Sequence, residues 1–157
     1  MIEQIYTYFT IEMIFMWLNL GVLPFWLVLV IFPQSQICRV FITSIFPIFI
    51  LSLAYGYLIF LFFNEGYDFI KNFELYLGLD AVSNLFTDKA FIILFWSHFL
   101  AMNLFCGGWI VKDSQKFGIN KILMSFPLLI TYFIGPIGLT LYWIIRIFYA
   151  KRINLYD

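Results

Sequence analysis

The sequence predicts an all-α, polytopic membrane protein. It reads as a single domain over 1–157, with four transmembrane helices and a short interfacial helix between the second and third. Two observations predict this. Of the 157 residues, 64% are hydrophobic and 11% charged, against about 45–50% apolar and about 25% charged in average soluble domains. So few charges cannot clothe a monomer of this size in water. That excludes a soluble globular enzyme, a disordered chain and a disulfide scaffold. A nucleic-acid binder carries a basic excess, whereas nine basic residues here balance nine acidic ones, so no nucleic-acid partner is expected.

The second observation is where the charges fall. Runs of 26, 25, 22 and 24 residues without Asp, Glu, Lys or Arg lie between Glu12 and Arg39, Arg39 and Glu65, Lys89 and Lys112, and Lys121 and Arg146. A spanning helix needs about 20 mostly apolar residues, because each adds about 1.5 Å across a core of about 30 Å. The windows give spans near 13–33, 40–63, 90–111 and 122–145. Backbone amides in lipid must bond internally, so each should be helical. None shows the alternating segments of about ten residues that a β-barrel needs.

The first window is read as a span and not a signal peptide, since its flank carries Glu3 and Glu12 and no small-residue cleavage site follows. Pro24 is expected to kink it, and Pro33 to end it. Pro47 should kink the second span in its first half. In the connection 64–89, Phe69, Phe73 and Leu77 recur every four residues, which predicts a short helix on the membrane surface. Thr87 or Asp88 is placed to cap the third span. Residues 112–121 read as a short polar loop. In the fourth span, Gly135-Pro136-Ile137-Gly138 should bend or thin the helix. Four spans put both ends of the chain on one side. Five cations there against four opposite do not set orientation; the cluster Arg146, Lys151, Arg152 points that side to the cytoplasm, and in a bacterium the plasma (inner) membrane. Membrane lipid is the expected partner.

Counted at 1.5 Å per residue, Asn19 lies about 10 Å deep, His98 about 13 Å, and Tyr55 and Pro136 about 14 Å. One residue of each span thus falls in one layer. Glu12, Asn19 and Trp26 share a face of the first helix at intervals of seven, as do Tyr132, Leu139 and Arg146 in the fourth span. His98 is the only histidine, which excludes poly-histidine di-iron sites and bis-histidine haem. It reads as a general acid or base; the plainer reading is a neutral imidazole hydrogen-bonded between helices, and the same holds for Asn19 and Asn103. The tryptophans Trp26, Trp96 and Trp109 suit a long planar ligand, or simply lipid. Asp113, about 22 Å along the helix from His98, reads as a solvated charge or a partner for Lys112 or Lys116. Cys38 and Cys106 are too few for a zinc site, and no metal is expected.

The third window carries the sharpest signal. Trp96-Ser-His98-Phe-Leu100-Ala-Met-Asn103-Leu104-Phe105-Cys-Gly107-Gly-Trp109-Ile110-Val-Lys-Asp113 resembles the signature of the abscisic-acid-deficient-four-like family, small four-helix membrane proteins related to plant neoxanthin synthase. That pattern runs His-x-Leu-x-x-Asp-Leu-Phe-x-Gly-x-Trp-Ile, then an Asp. Asn19 with Leu23-Pro24-Phe25-Trp26 and Pro33 looks like the family's first span. Phe126-Pro127 and Gly135-Pro136-Ile137-Gly138-Leu139 look like its last. One position departs: Asn103 replaces the acid, and an amide cannot take up a proton as a carboxylate can.

The resemblance implies a redox-neutral isomerase of a carotenoid or related isoprenoid, needing an acid, a base and a dry site, with no cofactor and no metal. His98, Asn103 and Tyr55 would be its catalytic residues. Asn19, Trp26, Trp96, Trp109, Pro136 and Tyr142 would line the substrate, and Glu12, Asp113 and Arg146 would be interfacial charges. The alternative is a non-catalytic carotenoid- or lipid-binding protein, or an assembly partner.

Overall fold

The computed structural model describes residues 9–154; Glu3 lies outside them. The described residues contain no strand. In chain order they form α1 (Ile11–Ile31), a π-helical turn (Cys38–Ile42), α2 (Phe46–Asn64), a 3-10 segment (Phe69–Tyr76), α3 (Leu79–Leu85), α4 (Lys89–Lys116), α5 (Lys121–Phe133) and α6 (Gly135–Ala150). Three of these, α1, α2 and α4, are long and apolar enough to cross a membrane.

The second window is not one helix from its start. The π-helical turn ends at Ile42, and α2 begins only at Phe46. Pro47 therefore sits in the first turn of α2 and not in its interior. Its missing N–H is harmless there, since first-turn amides have no intrahelical acceptor. The expected kink is replaced by a helix start.

The fourth window departs further. It is divided at Ile134, whose backbone is extended (φ −138°, ψ 80°). Pro136 cannot supply the N–H that an unbroken helix would direct at the Tyr132 carbonyl, and its ring crowds that carbonyl. The two pieces have 13 and 16 residues, about 20 and 24 Å long. A side chain at Gly138 would run into the Thr131 backbone and hydroxyl. Residues seven apart in a straight helix are separated by about 10.5 Å along the axis. Contact between them means that α6 folds back on α5.

Two other boundaries move. The helix α4 runs through 112–116, so the predicted polar loop shrinks to 117–120. The connection between α2 and α4 does contain a helical segment, but its first part is 3-10. With three residues per turn, the stripe within this segment is Ile70, Phe73 and Tyr76 rather than Phe69, Phe73 and Leu77; each of the three is more than two-thirds exposed.

By internal contacts the chain divides into two compact units, one of Met1–Leu20 and Ile50–Ala101, the other of Gly21–Phe49 and Met102–Asp157. In the first, Leu18, Leu58, Phe62, Phe91 and Leu94 are buried. Asp88 caps α4 by accepting from the Ala90 amide at 2.8 Å. Thr87 instead donates to the Asn84 carbonyl at 2.7 Å. In the second unit, Val22, Leu29, Leu104, Ile110, Val111 and Leu128 form the core. Gly107 lets α1 approach α4 there, because a Cβ would come 2.7 Å from the Trp26 ring.

Candidate functional site

In the first unit, His98 and Tyr55 line one small cleft of about 150 Å³, with Ser52 and Ser97 beside them. The plainer sequence reading, an imidazole hydrogen-bonded between helices, does not hold: His98 is exposed, with no hydrogen-bond partner among the described residues. Asn19 does not line this cleft. Its side-chain amide donates to the Phe15 carbonyl at 2.7 Å, and its oxygen accepts from Trp96 Nε1 at 3.1 Å. Trp96, committed to that bond, also stacks on Phe99 with centroids 5.2 Å apart. Glu12 pairs with Lys89 at 3.1 Å, and both side chains are mostly exposed.

The second unit holds the polar cluster that sequence reasoning misplaced. Asp113 is neither a solvated charge nor a partner of Lys112 or Lys116. It is buried, and its Oδ2 accepts from the Tyr142 hydroxyl and from Arg146 Nε, each at 2.7 Å. Tyr142 and Arg146 stand four apart on α6, which puts both on one face opposite α4. Arg146 is only 2% exposed, and its guanidinium also lies over the Phe117 ring, 4.8 Å from the centroid. Trp109 stands edge-on to Tyr142 with centroids 5.6 Å apart. The signal that could have found this cluster was the pair Asp113 and Arg146 itself, each at the end of an apolar run. Buried charges are rarely left unpaired. The predicted face Tyr132–Leu139–Arg146 does not exist, because the break at Ile134 separates Tyr132 from the other two.

Asn103 has a structural job. Its Nδ2 donates to the Tyr132 carbonyl at 3.4 Å, the carbonyl four residues before Pro136. Its oxygen packs on Gly135, where a Cβ would collide with it. The amide thus serves the carbonyl that Pro136 abandons. An ionised Asp could not donate there. Trp26 is buried with its ring edge-on to Tyr132 at 5.3 Å, and Pro136 is exposed at the start of α6. The hydroxyl of Tyr142, expected to line the substrate, is already committed to Asp113.

Outside the spans, burial pushes the Cys38 thiol up to about 11. Burial, and then the charges of Asp88 and Asp68, raise the Tyr67 phenol above its ordinary value.

Three long apolar helices and interior polar contacts that tie broken backbone together define a helical membrane protein. The sequence matches the ABA DEFICIENT 4-like (ABA4-like) family over residues 13–142. This chain belongs to that family, as the third-window motif indicated. No curated protein and no solved structure matches it.

Proposed function

We propose that this membrane protein isomerises a carotenoid or related isoprenoid without net redox change. The observation that carries the reading is the shared cleft of His98 and Tyr55. It joins an imidazole, whose ring nitrogen can accept a proton, to a phenol able to donate one. Because His98 is exposed on a helix apolar enough to span a membrane, a polyene reaches it sideways from the bilayer.

With an epoxide end group the step balances as follows. His98 removes a proton from the polyene carbon next to the ring. The electron pair becomes a new C–C π bond as the epoxide C–O bond breaks, and the oxygen takes the Tyr55 proton. Transfer of the proton from imidazolium back to tyrosinate restores the protein. No electron enters or leaves. The exposed stripe Ile70–Phe73–Tyr76 rests on the membrane surface in this reading, and in a bacterium the protein lies in the inner membrane.

A second reading has its own support. Asn103 occupies the position of the family pattern's acid and is engaged by the Tyr132 carbonyl. If that acid is essential to chemistry, this chain binds its isoprenoid without converting it.

Expression in a carotenoid-producing host, beside His98→Ala and Tyr55→Phe, separates the two. A new pigment of unchanged mass, absent from the His98→Ala culture, is expected of an isomerase. A pigment that co-purifies unchanged with all three proteins leaves only the binding role. Neither conversion nor co-purification overturns both.

A further inference from the structure

In the second unit, an apolar groove of about 530 Å³ lies between α4 and the junction of the π-helical turn with α2. Its volume falls within the range of about 300–1,000 Å³ usual for small-molecule sites. The groove is polarised. Lys112 marks one end, Leu104 and Phe105 the other, and Thr43 lies beside Gly108 between them. Leu104 and Lys112 are eight residues apart on one helix, so the polarity changes over about 12 Å.

Two features at the polar end favour an anion. Lys112 is exposed and forms no ion pair among the described residues. The first turn of α2 does not compete for it, since the Phe46 amide donates to Ser44 Oγ at 3.1 Å and Pro47 has no N–H. The hydroxyls do not compete for the lysine as acids would. Thr43 donates to the Arg39 carbonyl at 3.3 Å, and Ser44 to the Phe41 carbonyl at 2.7 Å. The apolar end offers nothing but hydrocarbon. Gly108 forms part of the wall, and a Cβ there would approach the Ile42 carbonyl only to 3.9 Å.

A charged head at a helix end, followed by about 12 Å of apolar channel toward the middle of the same helix, is the profile of a membrane lipid. We infer that this groove holds one anionic phospholipid of the surrounding bilayer, its phosphate on Lys112 and its acyl chain along Leu104, Phe105 and Ile48. The inference goes beyond the proposed isomerase and does not depend on it.

Trp109 lines the groove, which supplies a reporter. Purified protein in nanodiscs is given phosphatidylglycerol or phosphatidylcholine with brominated acyl chains, and tryptophan quenching is measured. The part belonging to Trp109 is the difference from Trp109→Phe. One lysine near a membrane surface supports a preference for the anionic lipid of about fivefold. Lys112→Gln should abolish the preference and Lys112→Arg should keep it, with helicity by circular dichroism confirming that both variants fold. Equal quenching by the two lipids in the unaltered protein overturns the assignment. So does a preference that survives Lys112→Gln, or one that persists undiminished in Trp109→Phe. Displacement of the anionic lipid by an uncharged carotenoid, with the same affinity in Lys112→Gln, would give the groove to the isoprenoid instead.

Discussion

Replacing Asp113 with Asn keeps the size of the side chain and removes its charge. In the native protein one carboxylate oxygen takes both the Tyr142 hydroxyl and Arg146 Nε at 2.7 Å. After the substitution a guanidinium that is 2% exposed has no counter-charge within the cluster. Its Nη1 already lacks a hydrogen-bond partner among the described residues, so nothing nearby takes up the loss. Removing one member of a buried pair costs about 3–5 kcal/mol. The Tyr142 bond weakens as well, from about 1.5–3 kcal/mol to a charged acceptor toward about 1 kcal/mol to a neutral one. These losses overlap, so the expected destabilisation stays at about 3–5 kcal/mol. The assay is denaturant unfolding in a fixed micelle, followed by circular dichroism, for Asp113→Asn, Arg146→Met and the double variant. The double variant should recover at least about 2 kcal/mol over the sum of the singles, because it buries no lone charge. A single-variant cost under about 1 kcal/mol, or strict additivity, would refute the account of the cluster.

Other predictions follow from the same contacts. Asn103→Leu strands the Tyr132 carbonyl and should lower stability in the same assay by about 1–3 kcal/mol; an unchanged midpoint would mean that the amide is not serving that carbonyl. Gly138→Ala should be at least as damaging, because the new methyl meets the Thr131 backbone, and should raise protease sensitivity between α5 and α6. Glu12→Gln removes a pair whose side chains are 69% and 76% exposed, and should leave the unfolding midpoint nearly unchanged. Cys38, pushed to about 11 by burial, should react with a thiol reagent far more slowly at pH 8 than a free cysteine. The folded state holds that proton more tightly than the unfolded chain. Its contribution to stability is therefore present below the ordinary value of 9.0 and lost as pH rises through about 11.

The long helices were legible because lipid leaves the backbone no alternative, and a charge-free run of sufficient length reports that directly. The family was legible because His98, Gly107, Trp109 and Asp113 fall at fixed spacings on one helix. The fourth window misled for a specific reason. Composition counts apolar residues, and it does not register that Gly135-Pro136 leaves a carbonyl without its donor. Asp113 and Arg146 were read as surface charges because each stands at the end of an apolar run. Their pairing depends on α6 turning back, which spacing along the chain does not encode. The grouping of Asn19 with His98 and Tyr55 assumed that equal depth means contact, whereas rotation about the helix axis directs Asn19 to Trp96.

The fold-back at Ile134 changes the arithmetic of sidedness. Ser114 reaches Met124 near the start of α5, and Asp113 reaches Arg146 near the end of α6, so both feet of this hairpin stand at the same level of α4. Its tip touches Asn103, ten residues or about 15 Å away, half the depth of a bilayer core. A hairpin that enters and leaves by the same leaflet adds no crossing. If α1, α2 and α4 are the crossings, the start of α1 and the end of α6 are expected in opposite compartments. Reporters active on only one side of the membrane, fused in turn to each end, should then give opposite answers.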